Sequence, residues 1–180
     1  MEIRIIRSKR KTMALTVDKN GDLIVRVPLF CAKEDALRFV EKNEEWIRKQ
    51  LRKNEKLKDI PVLSDDEIKN LKKEARRIIS EKAAYWAPVV GVSYGKISIR
   101  SQKTRWGSCS RSGNLSFNFL LALAPTEVLE SVVVHELCHI RVMNHSKAFY
   151  DEVYRCMPDY DARHKWLKVH GRELMQMVPG

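Results

Sequence analysis

Across the first thirty residues apolar and polar side chains alternate with a period near two, the pattern of short strands. Three stretches carry it: Glu2-Ile3-Arg4-Ile5-Ile6, Met13-Ala14-Leu15-Thr16-Val17 and Leu23-Ile24-Val25-Arg26-Val27. The basic cluster Ser8-Lys9-Arg10-Lys11 separates the first two. Asp18-Lys19-Asn20-Gly21-Asp22, with its Asn-Gly pair, marks a turn between the last two. The pattern predicts an antiparallel three-stranded sheet or a pair of hairpins, ended by Pro28. The period then lengthens. Ala36, Phe39, Val40, Trp46, Ile47 and Leu51 predict an amphipathic helix over 33–57, with Arg48 to Lys58 as a wet face and frayed end. Asp59-Ile60-Pro61-Val62-Leu63 breaks it, and Ser64-Asp65-Asp66-Glu67 supplies caps and first-turn acids for a second helix over about 65–87. Its buried side is Ile68, Leu71, Ala75, Ile78, Ile79 and Trp86, and Pro88 marks its end.

Strand patterning returns at Lys96–Arg100, Thr104–Ser110 and Leu115–Phe119, with a turn at Arg111-Ser112-Gly113-Asn114. Pro125-Thr126 then opens a helix with Glu127 in its first turn. Val132, Val133, Val134, Leu137, Cys138 and Ile140 make this helix mostly buried, and Met143-Asn144 is expected to end it, with Asn in a left-handed cap. Two more helices are expected, from about Ser146 to Met157 and from about Asp161 to Met175.

That buried helix contains His135, Glu136 and His139, the motif H-E-x-x-H, and His145 follows six residues later. Polar groups inside an apolar helix are costly without a partner, and a metal ion is the simplest one. Residues four apart stand one helical turn above each other, so both imidazoles can hold one ion. His145 supplies a third ligand, and Glu136 is placed to act as base on a water at the metal. Zinc suits three imidazoles with one open position. Glu152 on the following helix is the alternative third ligand, ranked behind His145. The histidine spacing equals that of the metzincins, but Val142 stands where those proteins have glycine, so metzincin membership does not follow.

Composition narrows the setting. The chain has 180 residues and a formal net charge of +11. Residues 1–60 carry 16 Lys/Arg against 10 Asp/Glu, while residues 101–180 carry 10 against 8. A surplus concentrated in the front half can attract nucleic acid or nucleotides, or can be a solvated surface. No run approaches the roughly 18 apolar residues of a membrane span. The charged N-terminus lacks an export signal, and Cys31, Cys109, Cys138 and Cys156 form no C-x-x-C pair. Free thiols in a reducing cytoplasm are the expectation.

With these residues in view, the chain resembles the YgjP-like metallopeptidases, zincins related to the SprT-like proteases. Matching pieces are Arg105-Trp106-Gly107-Ser108-Cys109-Ser110, Leu115 to Asn118, Val134 through His139, and Asn144-His145-Ser146 with Phe149. Pro158-Asp159-Tyr160, Trp166-Leu167, the Arg-rich N-terminal β segment and the Trp46-Ile47 helix fit as well, so nearly the whole chain is covered. The resemblance implies an α+β fold: a zincin-like catalytic core over 61–180, its active-site helix packed on a small antiparallel sheet, behind a β appendage with a basic helix over 1–60. It implies zinc, with His135, His139 and His145 as ligands and Glu136 as base.

The expected activity is peptide hydrolysis on a peptide or protein substrate. The strand through Trp106, Gly107, Ser108 and Cys109 is read in two ways. In one it binds substrate as an added strand, with Gly107 allowing close backbone approach. In the other Trp106 is core and Gly107 marks a bulge. Candidates for stabilising the oxyanion are Arg105 and Tyr160, then Tyr150, Tyr154, His164 and His170. Cys109 has no visible histidine partner and is a poor nucleophile candidate, and Cys138 turns away from the metal face. Two rivals stand beside the peptidase: a phosphohydrolase acting on nucleotides at the same metal, and a nucleic-acid-binding module built on the basic half, which would leave the histidines unexplained. In a variant of the first reading the basic half recruits the protease to nucleic acid.

Overall fold

The computed structural model describes residues 2–18, 21–58 and 60–179, with backbone only at 56–58. The architecture is α+β, and the chain divides into two compact units, residues 1–60 and 61–180.

The first unit holds β1 (Ile3–Ser8), β2 (Ala14–Val17), β3 (Leu23–Pro28), α1 (Lys33–Lys42) and α2 (Glu44–Lys58). Leu23, Val25 and Val27 are fully buried against Ala36 and Ile47, so β3, the most apolar strand, takes the centre of the sheet. β2 pairs with it antiparallel, but β1 pairs with it parallel, and not with β2. The expected all-antiparallel sheet is therefore mixed. Residues 9–13 cross over β3, a span of two strand spacings of roughly 4.8 Å each, which five residues cover easily. Lys19 and Asn20 of the expected turn lie outside the described residues, as does Asp59 of the expected break. The single helix expected over 33–57 is two helices. Asn43 leaves helical geometry and its Nδ2 donates to the Phe39 carbonyl at 2.7 Å, a local bond that competes with the helix ladder.

The second unit holds α3 (Asp65–Val90), β4 (Ile97–Arg100), β5 (Gly107–Cys109), β6 (Leu115–Asn118), a 3-10 segment over Phe119–Leu123, α4 (Thr126–Arg141), α5 (Lys147–Cys156) and α6 (Tyr160–Gln176). Ser64 and Glu67 form a complete capping box at the start of α3. α3 runs two residues past Pro88, because Gly91 in the left-handed region (φ 78°) provides the actual stop. The sheet order is β4-β6-β5, with β4 parallel and β5 antiparallel to β6, so this sheet too is mixed. β5 is an edge strand. α4 lies at the centre, packed against α3, α5, α6 and β5. It can do so because Val128, Leu129, Val132, Val133, Val134, Leu137 and Cys138 are buried around it. No described helix is long and apolar enough to cross a membrane.

Candidate metal centre

α4 ends at Arg141, and the residue after it sets up the site. Val142 is extended (φ −134°, ψ 102°), the conformation a β-branched residue prefers. No described non-glycine residue has positive φ, so the expected left-handed cap at Asn144 is not formed. In the extended turn the Val142 carbonyl accepts a bond from His139 Nδ1 at 3.1 Å. The chain then doubles back. Ser146 N donates to Asn144 Oδ1 at 3.3 Å as α5 begins, and His145 is brought beside the α4 histidines.

The three imidazoles converge. Nε2 of His135 lies 3.2 Å from Nε2 of His139 and 3.0 Å from Nε2 of His145, and the three donor atoms fall within 4.8 Å of one another. Tetrahedral zinc–nitrogen bonds put ligand nitrogens about 3.3 Å apart. Phe149, fully buried on α5, floors the cage: it stacks on His139 (centroids 4.4 Å) and meets His135 and His145 edge-on. His135 Nδ1 is engaged by the Tyr160 hydroxyl at 2.8 Å. With Nδ1 occupied on both α4 rings, the lone pairs sit on the converging Nε2 atoms. Burial holds both rings neutral, the form that binds metal. His139 is lowered, and His135 falls to about 3 through burial and then its histidine neighbours. Three facing lone pairs need a cation between them, so these residues fit a metal ion. Glu152 is elsewhere, paired with Arg155 at 2.9 Å and Arg141 at 3.7 Å, and is no alternative ligand.

Glu136 is 5% exposed, and its Oε2 is buried without a hydrogen-bond partner. Burial pushes its carboxyl up to about 8, and a cation in the cage would pull it back down. Gly107 of β5 lies over it. A Cβ at Gly107 would stand 2.5 Å from Oε1 and 2.7 Å from Cγ of Glu136. The space that the glycine leaves is thus taken by the carboxylate. A cleft of about 310 Å³ opens here, lined among others by Arg105, Gly107, Ser108, Cys109, Met143 and the three histidines. A second, about 210 Å³, shares Arg105, Gly107, His135 and Glu136 with it and is lined also by Trp106, Val132, His164 and Leu167.

The remaining candidates fall in different places. Ser108 and Cys109 line the cleft, and burial raises the Cys109 thiol. The Trp106 ring packs on α6, where a Cβ at Gly171 would meet it at 2.8 Å, and it also walls the smaller cavity. Arg105 borders both cavities. Tyr160 is not placed for an oxyanion: its hydroxyl is at the far nitrogen of His135, with His164 Nδ1 3.3 Å away. The Tyr154 hydroxyl donates to Asp161, and His170 faces Glu173. Cys138 is fully buried, and burial with Cys156 nearby pushes its thiol up to about 12.

Two contributors escaped the sequence reading. The Val142 carbonyl is one; only its neighbour spacing in the motif hinted at it. The other is Asn118, fully buried at the end of β6. Its Nδ2 donates to the carbonyls of Gln102 (2.6 Å) and Arg105 (3.2 Å), and its Oδ1 accepts from Leu120 N. One side chain thus ties the loop before β5 to the sheet. A polar residue closing an apolar strand was the available signal.

The family profile described as YgjP-like, metallopeptidase domain, matches residues 11–69 and 63–170. Curated proteins give no match. Among solved structures, the crystal structure of the metallopeptidase zymogen of Pyrococcus abyssi abylysin is similar at 19% identity and a TM-score of 0.48, covering 52% of this chain and 96% of that one.

Proposed function

The chain belongs to the YgjP-like metallopeptidase family, and we propose that it is a zinc peptidase in which His135, His139 and His145 hold the metal and Glu136 is the general base. Family membership supports a metal-dependent peptidase; the choice of zinc and the residue roles are our reading. The observation that carries it is the pairing of three converging Nε2 atoms with a buried, partnerless carboxylate oxygen one residue along the same helix.

Zinc, when bound, supplies Lewis acidity that polarises a carbonyl and acidifies a water. The protein's own residues do the rest. Glu136 takes a proton from the attacking water and passes it to the leaving amine. Its burial keeps bulk water from competing for that proton. β5 presents the substrate. The Trp106 carbonyl accepts from Asn118 N, and Ser110 N donates to the Asn114 carbonyl, so alternate residues of this strand face β6. By the two-residue period, the backbone groups of Gly107 and Cys109 face the open edge. An extended peptide can pair there, directly above Glu136, with loose sequence preference. Arg105 is the side chain we assign to the developing oxyanion.

The lining also weighs against a nucleotide. Among the described lining residues of the cleft, Arg105 alone carries a fixed positive charge. Beyond a metal ion, a triphosphate there would meet one fixed cation and a buried carboxylate. A neutral amide is the better fit.

Glu136→Gln tests the assignment. The variant should keep about one zinc per chain, as a non-ligand change allows, and lose roughly 10²–10⁴-fold in kcat on a peptide. Unchanged turnover with zinc verified would refute the base.

A further inference from the structure

We propose that Tyr160 and His164 are positioning residues for the metal centre: the Tyr160 hydroxyl accepts a hydrogen bond from His135 Nδ1–H and donates its own to His164 Nδ1. This rests on the reading of His135 as a ligand through Nε2.

The direction of each bond follows from that reading. An imidazole that gives its Nε2 lone pair to a cation carries its proton on Nδ1. His135 Nδ1 therefore donates, and Tyr160 Oη accepts, at 2.8 Å. The phenol hydrogen is then free to point elsewhere, and His164 Nδ1 lies 3.3 Å from the same oxygen. His164 accepts there and keeps its own proton on Nε2. The Tyr160 hydroxyl thus both accepts and donates, without a charged ring in the row.

The fold holds this row in place. Tyr160 and His164 are four apart on α6 and share one face. The three rings are nearly parallel, with interplanar angles of 19° for His135 and Tyr160 and 20° for Tyr160 and His164. Tyr160 is 2% exposed, so water does not substitute for it. Arg163, between them in sequence, reaches from α6 to Glu130 of α4 at 3.4 Å and fixes the spacing of the two helices. His139 is held differently, by the Val142 carbonyl of its own turn. The two α4 ligands therefore have separate supports, one local and one from the C-terminal helix. A phenol is a weaker acceptor than a carboxylate, and a second acceptor behind it strengthens the bond it receives.

The test is a zinc competition titration of the full-length protein against a chromophoric chelator, with the metal-free melting temperature measured in parallel. The wild type and His139→Ala are the controls. Tyr160→Phe keeps the ring and removes the oxygen; zinc affinity should fall roughly 10–100-fold with the metal-free melting temperature near the wild-type value. His164→Leu should fall by less, and His164→Gln, which restores an acceptor, should recover most of that loss. Combining Tyr160→Phe with His164→Leu should cost no more than Tyr160→Phe alone, because the second residue acts through the first. The cobalt-loaded Tyr160→Phe protein should show an altered visible spectrum, reporting a reoriented ligand. Wild-type zinc affinity in Tyr160→Phe overturns the proposal, as does a double variant whose losses multiply. Should Tyr160→Phe fail to fold, the comparison of His164→Leu with His164→Gln decides, and equal affinity in both is a refutation. If His139→Ala binds zinc as tightly as the wild type, the histidine cage itself is wrong and the proposal falls with it; that result is distinct from one in which His139→Ala fails and Tyr160→Phe does not.

Discussion

Among the described residues, 61–180 bury four polar side chains, Asn118, Ser131, Glu136 and His139, whereas 1–60 bury one, Asn54. Four of these five are satisfied. Asn54 donates to the Asp18 carbonyl at 2.7 Å, Ser131 to the Val128 carbonyl, and Asn118 and His139 hold the bonds described above. Of these five, only Glu136 has a buried side-chain oxygen without a partner. The comparison separates two uses of polarity. In the first unit the buried amide pins a turn of the scaffold, and the charged groups lie outside, where geometry is loose and salt screens them. In the second unit Ser131 bonds within its own helix, Asn118 holds a loop, and His139 and Glu136 are the ligand and base that we propose. An unsatisfied buried carboxylate is expensive, and the base role proposed for Glu136 accounts for keeping one here.

The sharpest way to break this contrast is to remove one buried polar group from each unit. His139→Ala should abolish zinc binding and peptide hydrolysis together. Asn54→Ala should leave zinc stoichiometry unchanged and cost about 0.5–1.5 kcal/mol in denaturant melts, the loss of one bond to an Asp18 carbonyl that keeps Gly21 N as a donor. Loss of zinc from Asn54→Ala would mean that the two roles are not separate.

A subtler test stays within the second unit. Gly107→Ala puts a methyl group into Glu136, and because misplacement by about 1 Å can cost 10²-fold, kcat should fall roughly 10–100-fold. Zinc content should hold, because no ligand is touched. Full activity would show that the carboxylate is not confined by β5.

The smallest effect concerns the exterior of the first unit. Lys9, Lys11, Arg48, Lys49, Arg52 and Lys53 are exposed, and Arg10 is half-buried. We propose that this surplus recruits a polyanion. Replacing all seven by Gln or Ser should weaken binding of DNA or RNA and flatten its dependence on salt, measured by fluorescence anisotropy over a salt series, since counterion release provides the affinity. Zinc content and cleavage of a small neutral peptide should not change. A wild-type protein without salt-dependent binding reduces the charge to a solvated surface.

Much of this was legible in the residues. The helix 126–141, the approach of His145 and the capping box at Ser64 and Glu67 follow from local patterns whose physics acts within a few positions. What escaped depends on contacts distant in sequence. Nothing in Glu2–Ile6 says that the first strand runs parallel to the third; that is settled by which strand has the most apolar face. Pro88 reads as a stop, yet tertiary packing carries α3 on to Gly91. The glycine at 107 was legible as a close approach, but the partner it admits, Glu136, is 29 residues away. Tyr160 was singled out as an oxyanion candidate, but its hydroxyl meets Nδ1 of His135, because sequence spacing does not tell which imidazole nitrogen a hydroxyl reaches.

Everything proposed for the second unit depends on one zinc ion lying among the Nε2 atoms of His135, His139 and His145. Anomalous X-ray scattering across the zinc absorption edge, on crystals of the protein purified without added metal, tests it most directly. A single strong peak per chain is expected about 2.0–2.1 Å from Nε2 of His135, His139 and His145, the zinc–imidazole distance, with Glu136 outside bonding range. A peak bound by Glu136 or Glu152 in place of His145, or no peak at this cluster in protein that cleaves peptides, would contradict it.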